Sequence, residues 1–405
     1  MSVAFLKKVK LPLLLLFILI TPLYLGSYVP LQIKAASYAM SLSMKTVLEF
    51  LLPFIIFSFV FFCLSSLQKG AVLFVSLLVA CVFISNFSAL MFGYASANIG
   101  LHAIRFSEQA VSITTHLQPA WSFHLHKVIS NDIALLCGFI MGIFFSLRPN
   151  PAAKRIAERL NQLANTFLKK IFIPVLPLFV LGFVFKLEYE QILQKSLSVY
   201  GPILILIIIS QWLYIGFWYG VASKFSWKQL IAYFKNVLPA SLTGLSTISS
   251  AAAMPVLLVG TEKNLASPEQ ARMLVPAIIN IHTIGSAIGV PILSLATLLS
   301  FGYPMPSLST YTVFALYTAL AKFAVAAVPG GVIIVVAPIL EAHLGFTSDM
   351  VGLLTAVWLI CDPFGTTANV TANGAFPILF SKLYNRLERD QGAVIVPGNE
   401  VLKAE

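Results

Sequence analysis

The sequence predicts an all-α polytopic membrane protein of eight transmembrane helices plus two re-entrant hairpins. Three observations carry that prediction. Of its 405 residues, 59% are hydrophobic and 10% charged, where soluble domains carry about 25% charged residues. Apolar runs recur that are long enough to cross a hydrocarbon core of about 30 Å. The tracts between them are too short for a soluble domain of ordinary size. The four cysteines, Cys63, Cys81, Cys137 and Cys361, lie inside apolar segments. They read as small core residues, not as a disulfide or zinc set.

Lys7, Lys8 and Lys10 precede a first apolar run at 11–33. It is long for the core of a secretory signal, although Ala35-Ala36-Ser37 offers small residues for cleavage. Further spans are expected at 47–67, 72–94 and 133–145. Residues 96–131 are more polar, with Gln109, Thr114, Thr115, His116 and His126. The tract 148–170 is rich in Lys and Arg, and Ile156, Leu160, Leu163 and Leu168 make it amphipathic. It reads as an interfacial helix on the cytoplasmic surface. Spans at 171–185 and 202–222 follow.

From there the apolar segments shorten and are interrupted. The segment 242–259 holds Thr243, Ser246, Thr247, Ser249 and Ser250 before Ala251-Ala252-Ala253-Met254-Pro255. The segment 275–299 contains Asn280-Ile281-His282-Thr283, and 311–340 contains Lys322 and Val328-Pro329-Gly330-Gly331. With the N-terminus inside, most basic residues fall inside, and only Lys34, Lys45, Arg105, Lys127, Lys186 and Lys195 fall outside. This agrees with the positive-inside rule provided that 242–259 and 311–340 dip in and return. The formal charge of +11 thus reports membrane topology, and no nucleic-acid partner is expected. Hairpin, broken span, hairpin, broken span is an inverted-repeat pattern, and interrupted segments at matching places point to a transporter's binding site.

The last broken span centres on the stretch from Asp362 to Asn373. On a helix, Asp362, Thr366, Asn369 and Asn373 fall at i, i+4, i+7 and i+11 and share one face. Pro363 removes a backbone donor, and a break at Asn369 is expected. A carboxylate at membrane depth costs several kcal/mol unless it is partnered or faces water, so Asp362 marks a functional site.

Four ordered stretches resemble the dicarboxylate/amino acid:cation symporter family, that of the glutamate transporters. Ser246 to Pro255, followed by Glu262-Lys263-Asn264, is similar to the serine-rich tip of the family's first hairpin. Asn280-Ile281-His282-Thr283-Ile284 stands in place of its Asn-Met-Asp-Gly-Thr. Ala319-Leu320-Ala321-Lys322 to Gly331 resembles the second hairpin, and Asp362 to Asn373 the last helix. Leu52-Pro53-Phe54-Ile55-Ile56-Phe57 resembles the second span. The resemblance implies a homotrimer whose transport domain slides through the membrane as an elevator. It also implies a division of the chain. Residues 1–235 would be mainly scaffold, with the third and sixth spans open to either domain. Residues 236–385 would be the transport core and 386–405 a cytoplasmic tail. Both termini would be cytoplasmic, in a bacterial inner membrane.

The same resemblance implies a substrate site of Ser249, Ser250, Val328, Pro329, Asp362, Gly365, Thr366 and Asn369. Asp362 would hold the substrate's amino group and Asn369 its α-carboxylate. Members that carry acidic substrates have an arginine where Gly365 stands, so a neutral side chain is expected here. The cation-site positions are Asn280, His282, Lys322, Asn369 and Asn373. The family's two carboxylates there have become His282 and Asn373, which puts sodium in doubt as the coupling ion and brings in the proton. His282 reads either as a proton carrier or as a hydrogen-bonded core histidine. Lys322 reads either as a tethered cation or as a side chain snorkelling to the interface. No cofactor is expected. No nucleophile and base set, phosphate loop or metal-ligand spacing suggests an enzyme. The expected function is secondary active transport of a small amino acid or related organic acid. The alternative is a non-transporting membrane sensor or binding scaffold that keeps the fold.

Overall fold

A computed structural model describes residues 17–18, 21–22, 24–65, 72–103, 116–126, 128–190, 192–325 and 330–390. Among them every regular element is helical. In chain order the helices are α1 (Leu31–Ser65), α2 (Val72–Ala103), α3 (Asn131–Leu147) and α4 (Pro151–Phe167). A π-turn (Leu168–Phe172) leads into α5 (Ile173–Tyr189), followed by α6 (Ile192–Ala222). Then come α7 (Trp227–Thr247), α8 (Ser250–Glu262), α9 (Pro268–Ile278), α10 (Ile284–Ser300), α11 (Leu308–Ala321), α12 (Gly331–Leu344) and α13 (Ser348–Asp390). Among the described residues three helices are long and apolar enough to cross a membrane: Ser76–Ala103, Tyr200–Ala222 and Ser348–Leu387. The pair Leu31–Leu48 and Phe50–Phe62, bent by 43°, makes a fourth when counted as one span. The remaining apolar helices are shorter, and most of the span expected at 11–33 lies outside the described residues.

The core is built around α10. It is apolar all round, and every residue from Ile284 to Leu298 is buried. A helix without a polar face needs neighbours on all sides, and α2, α6 and α13 supply them. On its outer side α13 packs against α7 and α8, which are themselves a contacting pair. A separate set forms where α1 packs on α3, α4 and α5. Gly285 sets how closely α10 and α13 approach, since a Cβ there would lie 2.7 Å from that of Ala368.

One expectation changes. The last helix is not broken at Asn369: α13 runs unbroken through Asp362, Pro363 and Asn373. Thr367 Oγ1 donates to Pro363 O and Thr371 Oγ1 to Thr367 O, both at 2.7 Å. Neighbours on every side give the polar face its partners, so the missing proline donor does not end the helix. The inward side of α4 is formed mainly by small residues. Ala153 and Ala157 pack with Phe61 of α1, while Ile156 and Leu163 are exposed. Small residues let helices approach closely where lipid, not water, surrounds them.

Three of the basic residues expected outside, Lys34, Lys45 and Lys186, are paired, and Arg105, Lys127 and the Lys195 side chain lie outside the described residues. Lys34 meets Glu188 at 2.6 Å, Lys186 meets Asp349 at 2.5 Å, and Lys45 meets Glu341 at 2.7 Å. The last two pairs tie α1 and α5 to α12 and α13.

Candidate functional site

The site forms where three interrupted elements meet α13. Between α9 and α10 the chain leaves helical geometry at 279–283. Pro276 lies one turn before the break, and the N–H groups of Ile281 and His282 both turn back to Ile278 O. Between α7 and α8 the break falls at Ile248, whose φ of 50° and ψ of 37° are left-handed. A β-branched residue there is strained, by about 1–3 kcal/mol. Ser249 then caps α8, its Oγ accepting from Ala252 N at 3.3 Å. Ahead of α12, Gly330 takes φ +70°, which glycine adopts without a Cβ penalty. Its N–H donates to Asp362 Oδ2 at 2.9 Å.

These pieces enclose one small polar cavity. It is lined by Ile248 and Ser250, by Asn280, Thr283 and Ser286, and by Val325 and Gly331. From α13 come Asp362, Thr366 and Asn369. Three α13 residues expected on one face thus reach one cavity. Asn369 Oδ1 accepts from Ser286 N at 3.2 Å, which leaves its amide hydrogens for the cavity. Ser249 is not among the lining residues, and Ser250 is. Val328 and Pro329 lie outside the described residues.

Lys322 does not snorkel. It is 0% exposed, and its Nζ donates to Thr283 Oγ1 at 2.9 Å, Ser286 Oγ at 2.8 Å and Thr283 O at 3.3 Å. An ammonium has three donors, and all three are met by neutral oxygens. It stands behind two cavity-lining residues and takes up oxygens that a bare cation would need. No carboxylate lies within ion-pair distance of it among the described residues.

His282 is buried behind the cavity. Its Nδ1 meets Asn373 Oδ1 at 2.6 Å, its Nε2 meets Ser85 Oγ at 2.9 Å, and its ring lies 4.4 Å from that of Phe376. With Oδ1 so placed, Nδ1 carries the hydrogen and the Ser85 hydroxyl donates to Nε2. If the ring gains a second proton, that hydroxyl turns to accept. The imidazole therefore keeps both partners in either charge state. Asn373 Nδ2 is buried without a partner.

Gly365, expected in the substrate site, is not among the residues that line the cavity. The Trp358 indole lies against this glycine, and a Cβ there would stand 3.1 Å from Cη2 and 3.2 Å from Cζ2. Three residues without a motif also matter. Asn86 of α2 holds the break, Ser85 holds His282, and Gln211 of α6 donates to Gly285 O at 2.9 Å. The signal that marks them is the one that marks Asp362, a polar residue inside a long apolar span.

Comparison with known proteins places the chain in a family. Residues 11–383 match the Sodium:dicarboxylate symporter family. The serine/threonine transporters SstT of Acinetobacter baumannii strains AYE, AB307-0294 and AB0057 are each 24% identical over 148 residues. That stretch is 36% of this chain and 36% of each relative. Matched over nearly all of its length, the chain belongs to the sodium:dicarboxylate symporter family, a family of integral membrane transporters.

Proposed function

We propose that the chain is a secondary transporter of small amino acids with neutral side chains. One observation carries this. Among the described residues that line the cavity, Asp362 is the single carboxylate, amide and hydroxyl groups accompany it, and there is no arginine. Asp362 suits a substrate ammonium, and Asn369 Nδ2 with the Lys322-polarised hydroxyl of Thr283 suits an α-carboxylate. A second substrate carboxylate finds no guanidinium to clamp it bidentately. The partial match to serine/threonine transporters supports the same substrate class.

The coupling ion we infer is the proton, or none where transport is by exchange. Hard cations take anionic and carbonyl oxygens. Here Lys322 holds one set of oxygens, and His282 and Asn373 hold each other. The finer architecture we propose has eight spans, with α7–α8 and α11–α12 as re-entrant hairpins of an inverted repeat. A moving body of α2 and α6–α13 would work against a scaffold of α1 and α3–α5, in a homotrimer with both termini cytoplasmic, in a bacterial inner membrane. The packing of α2 and α6 on α10 supports placing them in the moving body.

The test is a thermal-shift screen of the purified protein in sodium, potassium and choline salts, followed by uptake into proteoliposomes. A ligand that binds only the folded state raises the melting temperature. Serine, threonine and alanine should do so in all three salts. Tighter binding of glutamate than of serine overturns the neutral preference. Binding without uptake under any gradient turns the assignment to a sensor or binding scaffold.

A further inference from the structure

The non-helical segment at 279–283 exposes backbone groups that a helix would pair. At membrane depth such groups must find partners within the protein. Two of them are met by a single side chain from another helix. Asn86 Nδ2 donates to Ile281 O at 2.7 Å, and Asn86 Oδ1 accepts from Thr283 N at 3.1 Å. Asn86 is 0% exposed and lies 195 and 197 residues away in sequence from these partners. The amide thus spans both ends of the peptide pair around His282, as a strand partner would.

What Asn86 holds in turn holds the cavity. Thr283 O accepts from Ser286 Oγ at 3.0 Å, and Thr283 Oγ1 accepts from Lys322. Ser286 N donates to Asn369 Oδ1. A continuous set of hydrogen bonds therefore runs from α2 through Thr283 and Ser286 to the amide of Asn369. Every link is a protein group, and every partner is buried.

We propose that Asn86 is a positioning residue. It fixes the non-helical segment so that Thr283, Ser286 and Asn369 present their polar groups to the substrate. The affinity arm of the test rests on the substrate class proposed above; the exchange arm does not.

The experiment compares wild type with Asn86→Ala in lipid nanodiscs in choline chloride. The control is Tyr219→Phe, which removes a different buried hydrogen bond, from Tyr219 OH to Thr371 O at 3.0 Å. Hydrogen exchange is followed by mass spectrometry on peptides covering 279–286, and L-serine affinity is measured by calorimetry. Asn86→Ala should speed exchange at 281–283 by at least about 100-fold while α10 and α13 keep wild-type rates. It should weaken L-serine at least about tenfold. Tyr219→Phe should do neither. Exchange at 281–283 that stays at the wild-type rate, or that rises equally throughout α2, α10 and α13, overturns the proposal. If wild type ignores L-serine the substrate assignment fails, and the exchange arm still decides the role of Asn86.

Discussion

Replacing Asp362 by asparagine separates its two duties. The substituted amide keeps an oxygen where Oδ2 stood, so the Gly330 N–H at 2.9 Å still has an acceptor. What is lost there is the charge-assisted part of one hydrogen bond, about 1 kcal/mol. The substrate ammonium loses its only carboxylate among the lining residues. Removing one partner of a buried charge pair costs about 2–5 kcal/mol, which is roughly 30- to 4,000-fold in Kd. Asp362→Asn should therefore fold, lose at most a few degrees in ligand-free melting temperature, and bind L-serine at least about 30-fold more weakly. Calorimetry and a melting curve measure both. A change in Kd below about threefold, with the fold intact, would remove Asp362 from the substrate site.

Lys322→Ser should leave the Thr283 and Ser286 oxygens without their donor, at about 1–3 kcal/mol per unmet buried group. Its melting temperature should fall in choline chloride and recover in part in sodium chloride, while wild type shows no difference between the salts. Gly365→Arg should destabilise, because overpacking a filled site costs about 1–3 kcal/mol and Trp358 is already in contact. Gly365→Arg combined with Trp358→Leu should restore the melting temperature and shift preference toward aspartate, read by competition against serine uptake. Wild-type uptake should respond to an inward proton gradient and ignore sodium, and His282→Asn should lose the pH response. Sodium-dependent uptake that ignores pH would refute that assignment.

The face of α13 was legible because spacing alone puts Asp362, Thr366, Asn369 and Asn373 together. The interruptions near Ser249 and Asn280 were legible from serine, proline and asparagine inside short apolar runs. The continuity of α13 was not, since Pro363 and the polar residues argue locally for a break and only packing on all sides overrides them. Nor was the burial of Lys322. A lysine in an apolar segment looks the same whether its stem reaches the interface or its head turns inward onto Thr283 and Ser286. The role of Asn86 was hidden for a different reason. A polar residue inside an apolar span marks the position, but its partners are nearly 200 residues away and nothing local says what it holds. The same holds for Trp358 over Gly365, a contact that depends on the side chain's direction rather than on composition.

The buried ammonium of Lys322 bears on how the membrane potential acts. A cation that is part of the chain cannot be released on either side, so it would cross with the proposed moving body in both directions. With Asp362 ionised the two charges sum to zero, and a zwitterionic amino acid adds nothing to that sum. One elementary charge moved through 100 mV gains or loses about 2.3 kcal/mol, whereas a neutral body gains nothing. Voltage would then grip this cycle only through a proton carried on His282. The slope of flux against membrane potential would count the protons that cross with each substrate.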